Sequence, residues 1–335
     1  MKKISLLSVL MIFIQLLPSC RDDHRTSVLK LGHGLDTDHP VHKSMIFMAE
    51  RVKQDSGGRM EIEIYPSRQL GTEKECVELL QIGSLDMTKV SASVMENFAP
   101  AYKVLSLPFI FDNREHSYRV LDGEAGREIL QSSEKYWLKG LTFYDAGSRS
   151  FYTKNTAVRH PDDLKGLSIR VMKSPTAIEM VENFGGSPAP ISWGELYTSL
   201  QTGRVDAAEN NPPSFYHSHH YEVCRFYCLD EHTSVPDVLL ISTSAWKRLD
   251  QKEKDWLKKA ATASSLYQRD LWLEDEKESM KKIKAAGVTV IPADSIDREA
   301  FKKSVADMYT EASLQVLVED LIQMIRHESN DEKDN

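Results

Sequence analysis

The sequence predicts an α/β protein of two lobes joined by one long helix. Strand-like and helix-like segments alternate in two separate sets, a pattern typical of parallel sheets covered by helices. The chain of 335 residues is long enough for two domains. Gln251–Ala286 contains no proline or glycine, and at 1.5 Å per residue it would reach about 54 Å, which exceeds one small domain. The alternative is two helices broken near Ser264–Ser265; we favour the continuous helix.

The first set begins near the N-terminus and has the order β-α-β-α-β. Val28–Gly32 has the character of a strand, and Pro40–Gln54 has apolar residues at helical spacing. Met60–Pro66 alternates apolar and polar residues, as a half-buried strand does. Thr72–Glu75 has the pattern of a capping box that opens the next helix, and Asp86–Val90 is the third predicted strand.

The second set begins near residue 149. Ser148–Lys154 and Leu167–Met172 are predicted strands, and Ser174–Phe184 is a predicted helix. Ser192–Glu195 has the pattern of a second capping box. Val205–Ala208 is predicted as a short strand, and it leads into two asparagines and two prolines. We therefore expect a cleft between two α/β units of similar size.

Composition and the N-terminus indicate an exported globular protein. The net charge of -8 and the pI of about 5.8 argue against a general nucleic-acid-binding role, which usually requires a basic surface. Lys2 and Lys3 precede the apolar stretch Ile4–Leu17, which is shorter than the roughly 20 residues of a membrane span. Leu17–Cys20 resembles a bacterial lipobox, so we predict a lipoprotein signal peptide over 1–20 and a lipid anchor on Cys20. The alternative is an ordinary secretory signal with an incidental cysteine.

The other cysteines carry no predicted chemistry. Cys76, Cys224 and Cys228 are an odd number, which does not suit a disulfide framework in an exported protein. Cys224 and Cys228 are close enough in sequence to pair, but free buried thiols are as good an interpretation.

Histidine spacing raises the question of a metal site. His39 with His42, and His217 with His219 and His220, have possible ligand spacings, but no paired acidic ligand set accompanies them. The sequence also lacks a P-loop, a GxSxG motif and a GxGxxG motif after a strand. We expect no metal, no cofactor and no catalysis.

Two arginines in predicted strands are candidates for binding an anion. Arg170 ends a strand expected to be buried, where an unpaired guanidinium costs several kcal/mol. Its planar fork matches a carboxylate. The alternative is a salt bridge to a nearby Asp or Glu. Arg149 starts the preceding strand, raises the same question, and is placed to converge on the same anion.

Further candidates surround the predicted cleft. Asn210 and Asn211 follow the predicted strand Val205–Ala208, at the strand end where open α/β sheets bind ligands, or else they form a simple turn. Trp193 could stack on a sugar ring or pack in the core. Glu73 could accept hydrogen bonds from hydroxyls or only cap a helix. His39 could donate to a ligand or act as a surface cap.

Several segments together resemble a known family. They are "YPSRQLGTEKE", "LPF" at Leu107–Phe109, "GSRSFYTKN", "DLKGLSIRV", "ISWGELYTSLQTGRVDAAEN" and "VPDVLLISTSAWKRL". These segments resemble DctP-type substrate-binding proteins of TRAP transporters over roughly residues 28–310. The resemblance implies a two-lobed periplasmic binding protein fold that closes on its ligand, with a chain that crosses between domains more than once.

The resemblance also implies domain boundaries. They are 27–147 plus 236–275 for domain I and 148–235 plus 276–326 for domain II. Residues 327–335 are then a flexible tail.

Site residues follow from the same resemblance. Arg170 matches the arginine that pairs with the ligand carboxylate, and Arg149 matches a second, less uniform arginine. Asn210 occupies the asparagine of the family's "QENP", and Trp193 the aromatic that packs on the ligand. Glu73 falls where a polar side chain of the other domain reaches the substrate. Residues at variable specificity positions are His39, Ser91 and Ser93, and Asn211 extends the asparagine motif.

The departure from "QENP" to "AENNPPS" resembles the branch associated with glucuronate and galacturonate. We therefore expect a periplasmic, lipid-anchored monomer that delivers a hexuronate to a small DctQ-type and a large DctM-type membrane subunit. Another carboxylate (an aldonate, sialic acid or a C4-dicarboxylate) is the first alternative. We prefer a hexuronate to a dicarboxylate, because a dicarboxylate would need a second cationic clamp. An exported sugar-acid enzyme or a scaffold lipoprotein without ligand are the others.

Overall fold

The structure, a computed structural model, describes residues 26–310 and 316–330. The predicted signal peptide and Cys20 lie outside the described residues. No helix in the described ranges combines the length and the apolar character that crossing a bilayer requires.

The elements alternate along the chain as the sequence predicts. The strands are β1 (Ser27–Gly32), β2 (Met60–Tyr65), β3 (Met87–Ser91), β4 (Leu138–Tyr144), β5 (Ser150–Thr153), β6 (Ser168–Val171), β7 (Ser187–Pro190), β8 (Ala207–Asn210), β9 (Phe226–Cys228), β10 (Asp237–Ser242) and β11 (Thr289–Ile291). The α-helices are α1 (Pro40–Asp55), α2 (Glu73–Gln81), α3 (Ala92–Met95), α4 (Arg114–Asp122), α5 (Glu124–Ser132), α6 (Pro175–Asn183), α7 (Leu196–Gln201), α8 (Pro212–His217), α9 (Thr243–Arg248), α10 (Gln251–Ala285), α11 (Arg298–Ser304) and α12 (Val316–Asn330).

The first lobe is built on a sheet with the strand order β2-β1-β3-β10-β4. β1 pairs in parallel with β2 and β3, whereas β10 runs antiparallel between β3 and β4. Asp237, at the start of β10, lies opposite Ser91 at the end of β3. The carboxyl ends of the parallel strands and the first residue of β10 therefore meet at one edge, which faces the other lobe.

The second lobe is built on a sheet with the order β11-β9-β5-β8-β6-β7. β6 is parallel to β7 and β8, and β5 is antiparallel to β8 with Ser150 opposite Asn210. This register places residue 149, one position before β5, beside the carboxyl end of β8. The edge so formed faces the edge of the first sheet.

The long helix is continuous, as predicted. α10 begins with a capping box at Asp250 and packs on α1 and β4 of the first lobe and on α8 of the second. Ser264 and Ser265 do not break it, because their hydroxyls bond to the first sheet: Ser264 to the hydroxyl of Tyr144 at 2.9 Å and Ser265 to the carbonyl of Phe143 at 2.5 Å.

Two local predictions are wrong. The capping box at Thr72 is present, but the one at Ser192 is not: residues 193–195 form a 3₁₀ turn without a side-chain cap. β8 spans Ala207–Asn210 instead of Val205–Ala208, so Asn210 ends the strand and Asn211 caps α8. Ala207 and Ala208 are both buried, so the sequence shows no alternation of apolar and polar residues that would indicate where this strand begins and ends.

The C-terminal helix packs on the first lobe, whereas we expected residues 276–326 to belong to the second. α12 contacts α4 and α5, and Nε2 of His116 bonds to the carbonyl of Ile325 at 2.9 Å. The apolar side chains on its inner face are Val318, Leu321, Ile322 and Ile325. α12 also continues to Asn330, into the segment we expected to be a tail, and residues 331–335 lie outside the described ranges.

Candidate functional site

A cavity of about 190 Å³ lies between the facing edges of the two sheets. Both lobes contribute to its walls, and α10 closes one side with Trp272. The predicted residues that line it are His39, Glu73, Ser91, Arg149, Arg170, Trp193, Asn210 and Asn211.

Arg170 is a buried cation without a carboxylate partner among the described residues. Its side chain extends from β6, is 2% exposed, and donates from Nε to the carbonyl of Ile191 at 2.9 Å. Nη1 is buried without a hydrogen-bond partner, and the ring of Trp193 lies 5.6 Å from the guanidinium carbon. Burial lowers the pKa of Arg170, yet an arginine keeps its charge in a protein. This guanidinium is therefore available to an anion in the cavity.

Arg149 lies in the same cavity but is already neutralised. Its Nε and Nη2 donate to the carboxylate of Glu209 at 2.5 and 2.8 Å, and Nη1 donates to Oδ1 of Asn210 at 2.9 Å. Burial alone would raise the pKa of Glu209, but Arg149 and His232 lower it to about 2. The internal salt bridge that we kept as an alternative thus applies to Arg149 and not to Arg170.

A buried lysine on the first lobe also lines the cavity, although the sequence did not indicate it as a site residue. Nζ of Lys89, on β3, lies 2.9 Å from Asp237 and 3.4 Å from Glu73. Burial alone would lower the pKa of Lys89, but the two carboxylates raise it, so the amine stays charged. Burial raises the pKa of Glu73. Glu73 and Asp237 offer acceptor oxygens to the cavity while they neutralise Lys89.

His39 presents a hydrogen-bond donor. Burial, with the nearby charge of Lys89, holds the pKa of His39 well below its usual range, so the imidazole is neutral. Its Nδ1 accepts from the backbone N–H of Val41 at 3.2 Å, as the cap of α1. The proton of the neutral ring must then be on Nε2, which is buried without a partner in the described part of the chain. An acceptor atom of a ligand would satisfy it.

The two asparagines differ in what they leave free. Oδ1 of Asn210 accepts from Arg149 and from the backbone N–H of Asn211, and its amide nitrogen donates to no described residue. Asn211 is engaged at both ends: Oδ1 accepts from Ser214 and Nδ2 donates to the carbonyl of Ala146 at 2.9 Å. Asn210 is thus placed to contact a ligand, whereas Asn211 fixes the turn.

Ser93 does not line the cavity. Its hydroxyl lies 2.8 Å from that of Ser106, inside the first lobe. Ser91, at the end of β3, does line it. Two residues apart in a strand would share a face, but the chain enters α3 directly after Ser91, and the helix turns Ser93 into the lobe.

The lobes touch across the opening of the cavity. Nδ2 of Asn97 donates to the carbonyl of Lys173 at 2.8 Å, and the hydroxyl of Thr176 donates to Glu96 at 2.7 Å. The guanidinium of Arg68 packs directly against Gly194. A Cβ atom at position 194 would lie only 1.1 Å from Nη1 of Arg68. These contacts show the two lobes closed over the cavity.

Comparison with known proteins identifies the family. Residues 31–315 match the model of the bacterial extracellular solute-binding proteins, family 7, also called DctP. The chain belongs to this DctP family. The family 7 protein is 37% identical over 288 residues to an uncharacterized protein of Salmonella typhimurium, YiiZ, with 85% of this chain and 87% of that one covered.

Solved structures of family members match the whole architecture. A TRAP periplasmic solute-binding protein from Bradyrhizobium sp. BTAi1, in complex with α/β-D-galacturonate, is 37% identical, has a TM-score of 0.86 and covers 89% of this chain and 99% of its own. Another, from Anaerococcus prevotii with bound α/β-D-glucuronate, is 31% identical with a TM-score of 0.88, covering 91% and 99%. The predicted two-lobed periplasmic binding protein fold with a bridging helix is confirmed.

The remaining thiols and histidines of the family 7 protein form no further centre in the described residues. Cys76, Cys224 and Cys228 are free and buried. No group of three or more His, Cys, Asp or Glu side chains in the described ranges is arranged to hold a metal ion.

Proposed function

We propose that this protein binds a hexuronate, glucuronate or galacturonate, in the cavity between its lobes. The observation that carries the proposal is Arg170, a buried guanidinium with a free Nη1 and no carboxylate partner among the described residues. An unpaired buried charge is costly, and a ligand carboxylate would relieve that cost with charge-assisted hydrogen bonds. Trp193, beside the guanidinium, offers a face for the sugar ring.

The charge balance of the cavity favours one carboxylate over two. Of the buried cations that line it in the described chain, Arg149 is neutralised by Glu209, and Lys89 by Asp237 and Glu73. A second ligand carboxylate would meet those acidic groups. Sugar hydroxyls suit them instead, since a hydroxyl donates to a carboxylate and accepts from the His39 donor. Two solved family members with galacturonate and glucuronate bound support the same ligand class.

The transport role completes the proposal. The bound sugar acid would be handed to the small DctQ-type and large DctM-type subunits of a TRAP transporter in the membrane. The binding protein would act in the periplasm as a monomer, anchored through Cys20. We also propose the domain division 27–147 plus 236–275 and 148–235 plus 276–310, with α12 joined to the first lobe.

A panel of sugar acids tests the ligand class. Titration calorimetry and melting temperature would be measured with galacturonate, glucuronate, an aldonate, sialic acid and a C4-dicarboxylate. We expect a hexuronate to bind at micromolar concentration or better, which corresponds to about 8 kcal/mol, and to raise the melting temperature most. Stabilisation by the dicarboxylate alone, or by the aldonate alone, would overturn the hexuronate assignment. Mass spectrometry after incubation would reveal a product if the protein were an enzyme.

A further inference from the structure

One end of the first lobe carries a cluster of lysines around a single tryptophan. Nζ of Lys139, Lys258 and Lys254 lie 5.3, 5.4 and 5.7 Å from the ring of Trp246. Each ammonium group is within cation–π distance of the indole ring, which attracts positive charge, and Lys139 also pairs with Glu134. The cluster stands out on a chain of net charge -8.

The surroundings extend this cluster into a basic face. Trp137 is 62% exposed, and its carbonyl accepts from the N–H of Thr243 at the start of α9. Lys135, two residues before Trp137, and Lys247, on α9, are exposed cations. We call the set of Lys135, Trp137, Lys139, Trp246, Lys247, Lys254 and Lys258 the basic face.

Acidic residues at this end are engaged locally. Glu134 pairs with Lys139, and Asp86 pairs with Arg248 at 2.5 Å. Asp250 and Glu253 form the capping box of α10, and Asp255 accepts from Gln251 at 2.8 Å. The hydrogen bonds to Asp250, Glu253 and Asp255 come from neutral donors and leave these three carboxylates charged. Lys135, Lys247, Lys254 and Lys258 make no ion pair within the described residues, so the unpaired lysines exceed these carboxylates by one and surround the exposed tryptophan.

The basic face lies at the end of the first lobe remote from the cavity. β4 begins there at Leu138 and β10 ends there at Ser242, and these two residues are paired. The cavity lies at the opposite ends of the same strands, where Asp237 is paired with Tyr144. A partner on the basic face would therefore leave the ligand cavity open to exchange.

The first described residues enter the fold at this same end. The hydroxyl of Ser27 donates to Glu253 at 2.5 Å, one residue before Lys254. Arg21–Thr26 separates that point from Cys20, the anchor of the proposed function on which this inference rests. At about 3.5 Å per residue, this segment spans at most ~20 Å. An anchor on Cys20 would thus keep the basic face close to the bilayer.

We propose that the basic face is a membrane-contact surface that binds anionic phospholipid headgroups. Lysines close to a negatively charged bilayer each strengthen attachment, and an exposed tryptophan is suited to the headgroup region. The contact holds the end of the first lobe against the membrane while the cavity exchanges ligand with the periplasm, and it would be released before the cavity meets the membrane subunits.

Vesicle sedimentation of the unlipidated chain from Arg21 onward tests this surface; that chain contains every residue the structure describes. Vesicles would hold phosphatidylcholine alone or with roughly a quarter phosphatidylglycerol. We expect binding only to the anionic vesicles, and its loss at about 0.5 M salt, where charges are screened.

The double variant Lys254→Glu with Lys258→Glu should weaken binding to anionic vesicles by about tenfold or more. The matched control, Lys281→Glu with Lys284→Glu, makes the same charge change on the same helix at its other end and should bind as wild type. Equal loss in both variants, or equal binding to both vesicle types, would overturn the proposal. Because the assay contains neither lipid anchor nor sugar acid, its failure is distinct from failure of the proposed function. Melting temperatures confirm that both variants fold.

Discussion

Arg170 and Arg149 have the same side chain, similar burial and opposite roles. Phe151 of β5 faces Glu209 of β8 across the sheet, and this register brings the Glu209 carboxylate to Arg149. Arg170 lies on β6, where no described carboxylate reaches it, so its charge is left for a ligand. The sequence indicated both as anion binders. The local sequence around Arg149 does not show that β5 pairs with β8, 60 residues later, and so does not reveal Glu209 as its partner.

Replacing Arg170 with glutamine should abolish most sugar-acid binding without harming the fold. Removing one member of a buried charge pair costs about 2–5 kcal/mol, so we expect at least a 30-fold loss of affinity, roughly 2 kcal/mol. Unfolding free energy should stay equal or rise, since an uncompensated buried charge is removed. Calorimetry and urea denaturation measure the two effects; unchanged affinity would contradict the role of Arg170.

Arg149→Gln should behave differently. The change leaves Glu209 buried without its guanidinium, so we expect a loss of unfolding free energy of about 3 kcal/mol. Urea denaturation without ligand provides the measurement, and the Arg170 variant is the matched comparison. A variant as stable as wild type would show that His232, which already lies 3.7 Å from Glu209, neutralises this carboxylate without Arg149.

Lys89 shows why part of the site escapes sequence reasoning. A lysine in "MTKVS" has the pattern of a solvent-facing position, and its main partner, Asp237, is 148 residues away. The predicted contacts of Arg170, Glu73, Asn210, Trp193 and His39 with the cavity came from motifs near strand or helix ends. Groups whose role depends on tertiary pairing, like Lys89 and Asp237, have no such local signal.

Among the elements, those with strong periodicity or clear caps were predicted well. α1, α10 and the alternating strand β2 match within a residue or two. The second capping box failed because residues 193–195 close a 3₁₀ turn in which the side chain of Ser192 makes no cap. That turn brings Gly194 against Arg68 of the other lobe. Its conformation therefore depends on a contact between the lobes, which the local sequence does not indicate.

Gly194→Ala should loosen the closed form by displacing Arg68. The new Cβ would stand 1.1 Å from Nη1 of Arg68, but this is the end of a flexible, exposed side chain, so folding stability should change little. We expect sugar-acid affinity to fall about threefold to tenfold, roughly 1 kcal/mol.

The double variant with Arg68→Ala provides the control. If displacement of Arg68 is the whole effect, Arg68→Ala alone and the double variant should have the same affinity as Gly194→Ala. Additive losses would show instead that Gly194 acts through its backbone.

For the whole molecule, the chain crosses between the lobes after β4 and after β9, and α10 spans both. The crossings after β4 and β9 were expected only from the family resemblance, whereas the length of α10 predicted that it joins the two lobes. α12 was misplaced, because an amphipathic helix at the end of a chain can cover either lobe, and local pattern does not say which. α12 packs beside α4, where His116 is hydrogen-bonded to the carbonyl of Ile325.

A histidine that links both lobes and α10 should make ligand affinity depend on pH. His217, at the end of α8, lies 2.8 Å from Asp38 of the first lobe and 2.9 Å from Asp275 of α10, and the neutral ring of His39 is beside it. Burial alone would lower the pKa of His217, but Asp275 and Asp38 raise it above 6.5. Opening the lobes would remove Asp38, which lowers this pKa, and would relieve part of the burial, which raises it. Because the ring stays on Asp275 of α10, we expect the loss of Asp38 to be the larger effect, so that closure takes up a proton.

The stabilisation of the closed form is then fully present below the open-form pKa and is lost as pH rises through the closed-form pKa. Asp38 is exposed and screened, so we expect affinity to fall only about fivefold, ~1 kcal/mol, across that range above pH 6.5. Calorimetry of wild type from acid to alkaline pH provides the profile. His217→Gln should flatten it, whereas the exposed neighbour His219→Gln should leave it unchanged. A wild-type profile without this fall would mean that the Asp38 contact does not distinguish the closed form from the open one.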